Sequence, residues 1–400
     1  MASICLYFQV HQPNRLIPYD FFQIGDHAFY EDDKLNGEVL SKVSDRCYLP
    51  ANHMFQKLIE KHGDQFKLSL SLSGVFLEQC EHHRPDVIYS FQQLVKTGRV
   101  EILAETYYHS LACLLSPEEF EAQVKKHAEK VEQLFGVKPK VFRNTELIYN
   151  NALAATLEKM GYDGVIAEGI PAVLGERSPN RLHRAPNVDK IVTLLRNRQL
   201  SDDVAFRRTD QGWKEYPLAP QTYAEWLSEE KGSSRNLFMD YETIGEHQDT
   251  STGVFDFWNG FVDAAVGLGL KFSTPSEVIA ENEVAGVYDC HEWTSWADHE
   301  CDLSAWRGNV IQGEAMAKIN ELEADVAQRK DDDLTHVWRK LQTSDHYYYM
   351  STKTGTDGDV HQHFSPYPGP YDAYIYFMNA VSDLQLRVKR TPIGKTAQKS

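Results

Sequence analysis

"RVEILAETYYHSLACLLSPEEFEAQVKKHAEKVEQLFGVKPKVFRNTEL", residues 99–147, holds one complete strand–helix–strand unit. "RVEILA" (99–104) and "KVFR" (140–143) are apolar runs of strand length. Between them Ser116 is placed as an N-cap, Pro117 suits the first helical position, and Glu119 stands where it would close a capping box. Phe120, Val124, Val131 and Phe135 recur on one helical face, and Gly136 stops the helix. The alternation repeats on both sides. Further strands are expected at "ICLYFQV" (4–10), "FKLSLSL" (66–72), "GVIAE" (164–168), "KIVTLL" (190–195), "NLFMDY" (236–241) and "KFS" (271–273). "TPSEVIAE" carries the same helix-start signature in Thr274, Pro275 and Glu277, which makes Glu277 a capping residue and not a catalyst. Strand–helix alternation of this length predicts an α/β fold with a parallel sheet. Seven or eight units predict a closed or nearly closed barrel.

The last third changes character. "AWRGNVIQGEAMAKINELEADVAQRKDDDLTHVWRKLQTSDHYYYM" (305–350) is dominated by helical spacing. The expected organisation is a barrel over 1–280, a helical subdomain over 281–390, and a polar, basic, frayed tail over 391–400.

Composition narrows the function. With 42% hydrophobic and 25% charged residues, the 400-residue chain is an ordinary globular one. The net charge of −17 argues against a nucleic-acid partner, which needs a basic face, and against an anionic membrane surface; a neutral polyol would be indifferent to it. Twenty Tyr and seven Trp suit either aromatic core packing or stacking on sugar rings. The six cysteines are scattered without a C-x-x-C and read as reduced thiols. The N-terminus lacks a basic leader and no segment reaches membrane-span length, so a cytoplasmic protein is expected.

In a barrel the chemistry sits at the C-terminal ends of the strands, so polar residues there carry the argument. Strand one ends in His11, Gln12 and Pro13; strand three leads to Glu105, Tyr107, Tyr108 and His109; strand four ends in Arg143, Asn144 and Glu146. The strand at 236–241 ends in "DYE", where Asp240 and Glu242, two apart, would share one side of an extended segment. Each residue also has a structural reading: a satisfied loop histidine, an Arg143–Glu146 ion pair, an Asp240 that receives backbone N–H groups. Their convergence on one barrel face favours chemistry. Two carboxylates from different strands among His, Tyr and Trp, without a nucleotide motif, fit glycoside hydrolysis.

Four ordered blocks, "YFQVHQP", "GRVEILAETYYHSL", "FRNTELIYNN" and "FMDYETIGEHQ", resemble those of family 57 glycoside hydrolases, the α-amylase and 4-α-glucanotransferase family. "WTSWADHECDLSAWRGNVIQGEA" and "TSDHYYYMSTKTGTDGDVHQHFSPY" resemble the helical C-terminal part of its shorter α-amylase-like members. The resemblance implies an incomplete (β/α)7, TIM-like barrel followed by a helical bundle, and a retaining double displacement on α-1,4-glucans. It implies Glu146 as nucleophile and Asp240 as general acid/base. His11, Tyr107, His109, Arg143, Glu242, His247, Trp296 and Asp298 then line the substrate site. Where some members carry an aromatic residue after the acid/base, this chain has His247. The two catalytic carboxyls are expected about 5–5.5 Å apart, with Glu242 raising the pKa of Asp240 by repulsion.

No cofactor or metal is expected. Asp357 and Asp359 in "DGDVHQH" read as a solvated turn in preference to a calcium loop. Three rivals remain open: a 4-α-glucanotransferase using the same carboxylates, a metal-dependent polysaccharide deacetylase, and a non-catalytic glucan-binding homologue. "HEWTSWADHE" and "DGDVHQH" do not offer the deacetylase His at i and i+4. Oligomeric state is left open by the sequence.

Overall fold

A computed structural model describes residues 3–393. Its described residues divide into a barrel unit (3–12, 37–105 and 124–296) and a helical unit (13–36, 106–123 and 297–393). The barrel unit thus ends at Trp296, whereas the sequence reading drew the boundary at 280, and two earlier excursions of the chain belong to the helical unit. Of the expected frayed tail, residues 394–400 lie outside the described residues.

The barrel unit is an incomplete (β/α)7 barrel. Its strands are β1 (Ser3–Val10), β2 (Leu68–Leu72), β3 (Val100–Ile102), β4 (Val141–Arg143), β5 (Gly164–Glu168), β6 (Leu182–Arg184), β7 (Val192–Arg196), β8 (Ser234–Asp240), β9 (Lys271–Phe272) and β10 (Val284–Val287). One parallel sheet runs β3-β2-β1-β8, and a second runs β10-β6-β7-β5-β4. A parallel bridge between Ala104 and Phe142 joins β3 to β4. The other seam, between β7 and β8, is closed by single bonds from Asn197 N to Asn236 O (2.9 Å) and from the Asn236 amide to Leu195 O (2.8 Å), with no ladder. β6 meets β7 antiparallel outside the ring and carries β10 at its edge.

Why these runs become strands is visible in their burial. All eight residues of β1 and all five of β2 are buried, as strands covered on both faces must be. Ile4, Leu6, Phe8 and Val10 face the helical layer, where helices Leu49–His62, Pro85–Lys96 and Val254–Gly267 supply Phe55, Phe91, Trp258 and Phe261. Cys5 and Tyr7, the alternate positions, fill the barrel interior with Leu103, Val141, Ile166, Leu194 and Phe238.

Helix Pro117–Phe135 starts and stops where its punctuation says. Ser116 Oγ accepts the Glu119 N–H at 3.3 Å, and Gly136 takes the left-handed conformation (φ +71°). Glu119 does not complete a capping box. Its carboxylate receives two bonds from Arg339, at 2.7 and 2.9 Å, because a guanidinium fork outcompetes a neutral N–H. Glu277 does close the box with Thr274.

In the helical unit, Val310–Glu321, Asp332–Lys340 and Pro370–Arg390 pack around Ile319, Val326, Tyr347, Phe377 and Leu384. The excursion 13–36 is tied to this bundle by Asp383, which accepts Gly25 N at 2.6 Å and Tyr30 OH at 2.5 Å. "DGDVHQH" lies in helix Gly355–Phe364 and not in a turn. No described helix is long and apolar enough to cross a membrane.

Candidate active site

Along the barrel interior the side chains change from apolar to polar toward the C-terminal rim. Above Cys5 and Phe238, Tyr7 OH donates to Gln9 Oε1 (2.9 Å) and shares a bond with Ser71 Oγ (2.6 Å). Gln9 Nε2 then donates to Glu105 Oε1 at 3.3 Å. Gln9 pairs in register with Asp240, the last residue of β8, which continues the inward row Asn236, Phe238, Asp240. Asp240 and Glu146 are both partly open to solvent, unlike the buried residues around them. A polar rim over a dry interior is where a barrel can bind and react.

Glu146 follows β4 in a tight turn. Glu146 and Leu147 both hold left-handed backbone conformations, φ +54° and +51°, which cost a non-glycine residue about 1–2 kcal/mol each. The turn is held by the segment carrying Thr294 and Trp296. Thr294 and Tyr149 exchange backbone bonds at 3.0 Å, and Trp296 N donates to Glu146 O at 3.2 Å. Trp296 Nε1 donates to Glu146 Oε2 at 2.8 Å. Arg143 and Arg196 lie over the Trp296 ring, their guanidinium carbons 5.3 and 5.6 Å from its centre. Arg143 is fully buried, its three guanidinium nitrogens have no hydrogen-bond partner among the described residues, and its compensation is the ring contact with Trp296. Arg196 also donates to Phe238 O (2.7 Å), to Glu168 (3.1 Å) and to Asp202 (2.5 Å). Against the desolvation that opposes its charge, these two carboxylates hold Arg196 above the usual guanidinium value.

The strand at the other acid stops at Asp240, and Tyr241–Thr243 form a 3-10 turn. The same-side argument for Asp240 and Glu242 therefore loses its premise. Tyr241 turns into the helical layer against Phe8 and Phe55, and Glu242 is buried beside Tyr48. Tyr48 OH donates to Glu242 Oε1 at 2.5 Å, and Gln12 Nε2 donates to Tyr48 OH at 3.3 Å. Tyr48 ends a π-helical turn, Ser44–Tyr48, whose Cys47 thiol also bonds Tyr241 O. Burial, and then the nearby charge of Asp240, push the Glu242 carboxyl up to about 8. The expectation gave Glu242 the charge that would keep Asp240 protonated. Burial instead makes Glu242 the acid that keeps its proton at neutral pH.

His11 is half-buried on the same rim, and its Nδ1 meets Ser73 Oγ at 2.7 Å. His247 is exposed on the turn after Glu242, with its N–H on Glu242 O at 2.8 Å. Glu246, beside it, pairs with Lys42 at 2.5 Å. Tyr107, His109 and Asp298 belong to the helical unit. There Tyr107 packs on Tyr108, and His109 takes φ +48° while its carbonyl accepts Ser344 N (2.9 Å). Asp298 meets Lys353 at 2.7 Å and His361 at 3.0 Å. Against the burial that opposes its charge, these contacts hold the Asp298 carboxyl below the usual range.

The sequence reading missed Arg196, Glu168 and Tyr48. The first two end β7 and β5, so the strand-end rule already applied would have found them. Tyr48 follows no strand, and nothing local marks it.

Two carboxylates stand at different strand ends of a parallel barrel, one in a strained turn and one beside a proton-retaining acid, and paired carboxylates are the groups that glycosidic bond cleavage needs. The sequence pattern of glycosyl hydrolase family 57 matches residues 5–291, and the chain belongs to that family, as a glycoside hydrolase. It is 40% identical over 396 residues to a protein of Methanocaldococcus jannaschii described as "Putative alpha-amylase", covering 96% of this chain and 84% of that one. It is 23% identical over 230 residues to an alpha-amylase of Pyrococcus abyssi, covering 50% of this chain but 33% of that one. Among solved structures, a family 57 branching enzyme from Thermococcus kodakaraensis superposes with a TM-score of 0.71 at 14% identity, covering 98% of this chain and 92% of that one. At that identity the likeness speaks for the fold.

Proposed function

We propose that the protein is a retaining hydrolase of α-1,4-linked glucans, of the α-amylase type. The carrying observation is Glu146, solvent-accessible at the end of β4 in a left-handed turn, with one carboxylate oxygen fixed by Trp296. In the first step the other oxygen of Glu146 attacks the anomeric carbon. The glycosidic C–O bond breaks and Asp240 gives its proton to the departing oxygen. In the second step Asp240 takes a proton from water, the water oxygen attacks the anomeric carbon, and Glu146 leaves as a carboxylate. A general acid must hold a proton when it reacts; the Asp240–Glu242 pair holds one at neutral pH, on Glu242 in the resting protein, and its passage to Asp240 belongs to the proposed first step. His11, Arg143, His247 and Trp296, all of the barrel unit, complete the proposed site. A neutral glucan fits a chain of net charge −17. The six free cysteines fit a reducing, cytoplasmic setting.

Replacing Glu146 with Gln should lower turnover of a maltooligosaccharide ladder about 10³-fold or more, with the circular dichroism unchanged. Activity at the wild-type level would remove Glu146 from the mechanism. A second reading, transfer to a sugar hydroxyl in place of water, is favoured by the 24% identity over 132 residues to a 4-alpha-glucanotransferase of Thermococcus litoralis. Maltotriose separates the two: equal glucose and maltose mark hydrolysis, longer oligomers mark transfer.

A further inference from the structure

Trp296 is half-exposed at the barrel rim, where an aromatic ring would ordinarily be assigned to stacking on sugar. Its surroundings argue for another task. The segment that carries it is laced to the Glu146 turn by the Thr294–Tyr149 bonds and by Trp296 N to Glu146 O, so the indole has little freedom to follow a ligand. Arg143, buried and without a hydrogen-bond partner among the described residues, has the Trp296 ring as its compensation. Arg196 lies over the same ring while bonded to Glu168, Asp202 and Phe238 O. Two cations over one ring draw electron density from the indole and make its N–H a stronger donor. That N–H ends on Glu146 Oε2.

We propose that Trp296 is a positioning residue for the nucleophile. Its N–H fixes the plane of the Glu146 carboxylate and favours the ionised form, and Arg143 and Arg196 hold and polarise the ring. The inference rests on the reading of Glu146 as nucleophile. A hydrogen bond to a carboxylate favours its charged form, so losing the bond should raise the pH at which Glu146 becomes competent. The other ionisable groups that bear on this rim are His11, Arg143, Arg196 with Glu168 and Asp202, Glu242 beside Asp240, and Asp240 and Glu105, which lie with Arg143 around Tyr7.

Trp296→Phe keeps a ring for the cations and removes the donor. On maltooligosaccharides we expect kcat to fall about 10–100-fold with KM within about twofold, and the acid limb of kcat/KM to move up by about one pH unit. Raised KM with unchanged kcat and an unmoved acid limb would overturn the proposal in favour of simple stacking. Should Trp296→Phe fail to fold, Trp296→3-benzothienylalanine, with sulfur in place of N–H, carries the same expectations. A double-mutant cycle separates this inference from the reading beneath it. In Glu146→Ala, azide attacking the anomeric carbon should restore turnover as a glycosyl azide; absence of rescue would count against Glu146 as nucleophile. In that rescued background, adding Trp296→Phe should change the rate less than about twofold, because the carboxylate it acts on is gone. A further loss as large as in wild type would show that Trp296 acts independently of Glu146.

Discussion

Glu242 shows how one buried carboxyl can set a pH dependence. In an unfolded chain a glutamate titrates near about 4.3, whereas here burial and Asp240 push it up to about 8. Between these values the unfolded chain has released the proton and the folded one still holds it. Stability from this group is therefore fully present below the unfolded value, falls as pH rises through the window, and levels off above about 8. Glu242→Gln keeps an oxygen for Tyr48 and carries no such proton. Its Tm relative to wild type should climb steadily from pH 5 to pH 8 and then flatten in thermal melts. Parallel curves for the two proteins would mean that Glu242 is ionised in the folded state.

At the scale of elements, the π-helical turn Ser44–Tyr48 and the turn following β8 are fitted to one another. Gly245 holds φ +106°, and a Cβ there would lie 2.1 Å from Arg46 O. Gly245→Ala should cost about 3 kcal/mol or more, read as a lowered urea midpoint, since both backbone and contact forbid the methyl group. A midpoint within error of wild type would mean the two turns can part freely. None of this was legible beforehand, because the contact joins segments 200 residues apart. The strands were legible, because β1, β5 and β7 are buried, largely apolar runs and β2 and β8 carry short apolar stretches at strand length between helical patterns. β6 and β10 escaped notice, being short pieces outside the ring, and β10 has every other residue exposed. Glu146 and Asp240 stand at strand ends, where the strand-end rule points. The ring contacts of Arg143 and Arg196 were not legible, because a cation over an indole leaves no spacing in the sequence.

For the whole molecule, the helical unit is not a C-terminal appendage that can be cut away. Residues 13–36 and 106–123 belong to it, and their partners are Asp383, Asn379 and Arg339. A chain ending at Trp296 would leave Tyr19, Tyr30 and Glu119 without the bundle residues that bond them. We expect such a truncation to be insoluble or to bind a hydrophobic dye strongly. A soluble, cooperatively melting 1–296 fragment would mean that the two excursions find other cover.

The left-handed backbone at Glu146 has a consequence for the history of such a chain. Glycine or asparagine would sit at φ +54° with less strain, so random drift at this codon has a downhill direction in stability of about 1 kcal/mol. Every step in that direction silences the proposed chemistry. This strained carboxylate is thus a position where folding alone would favour a different residue, and a lineage released from selection for turnover would be expected to lose it early while keeping a sound barrel.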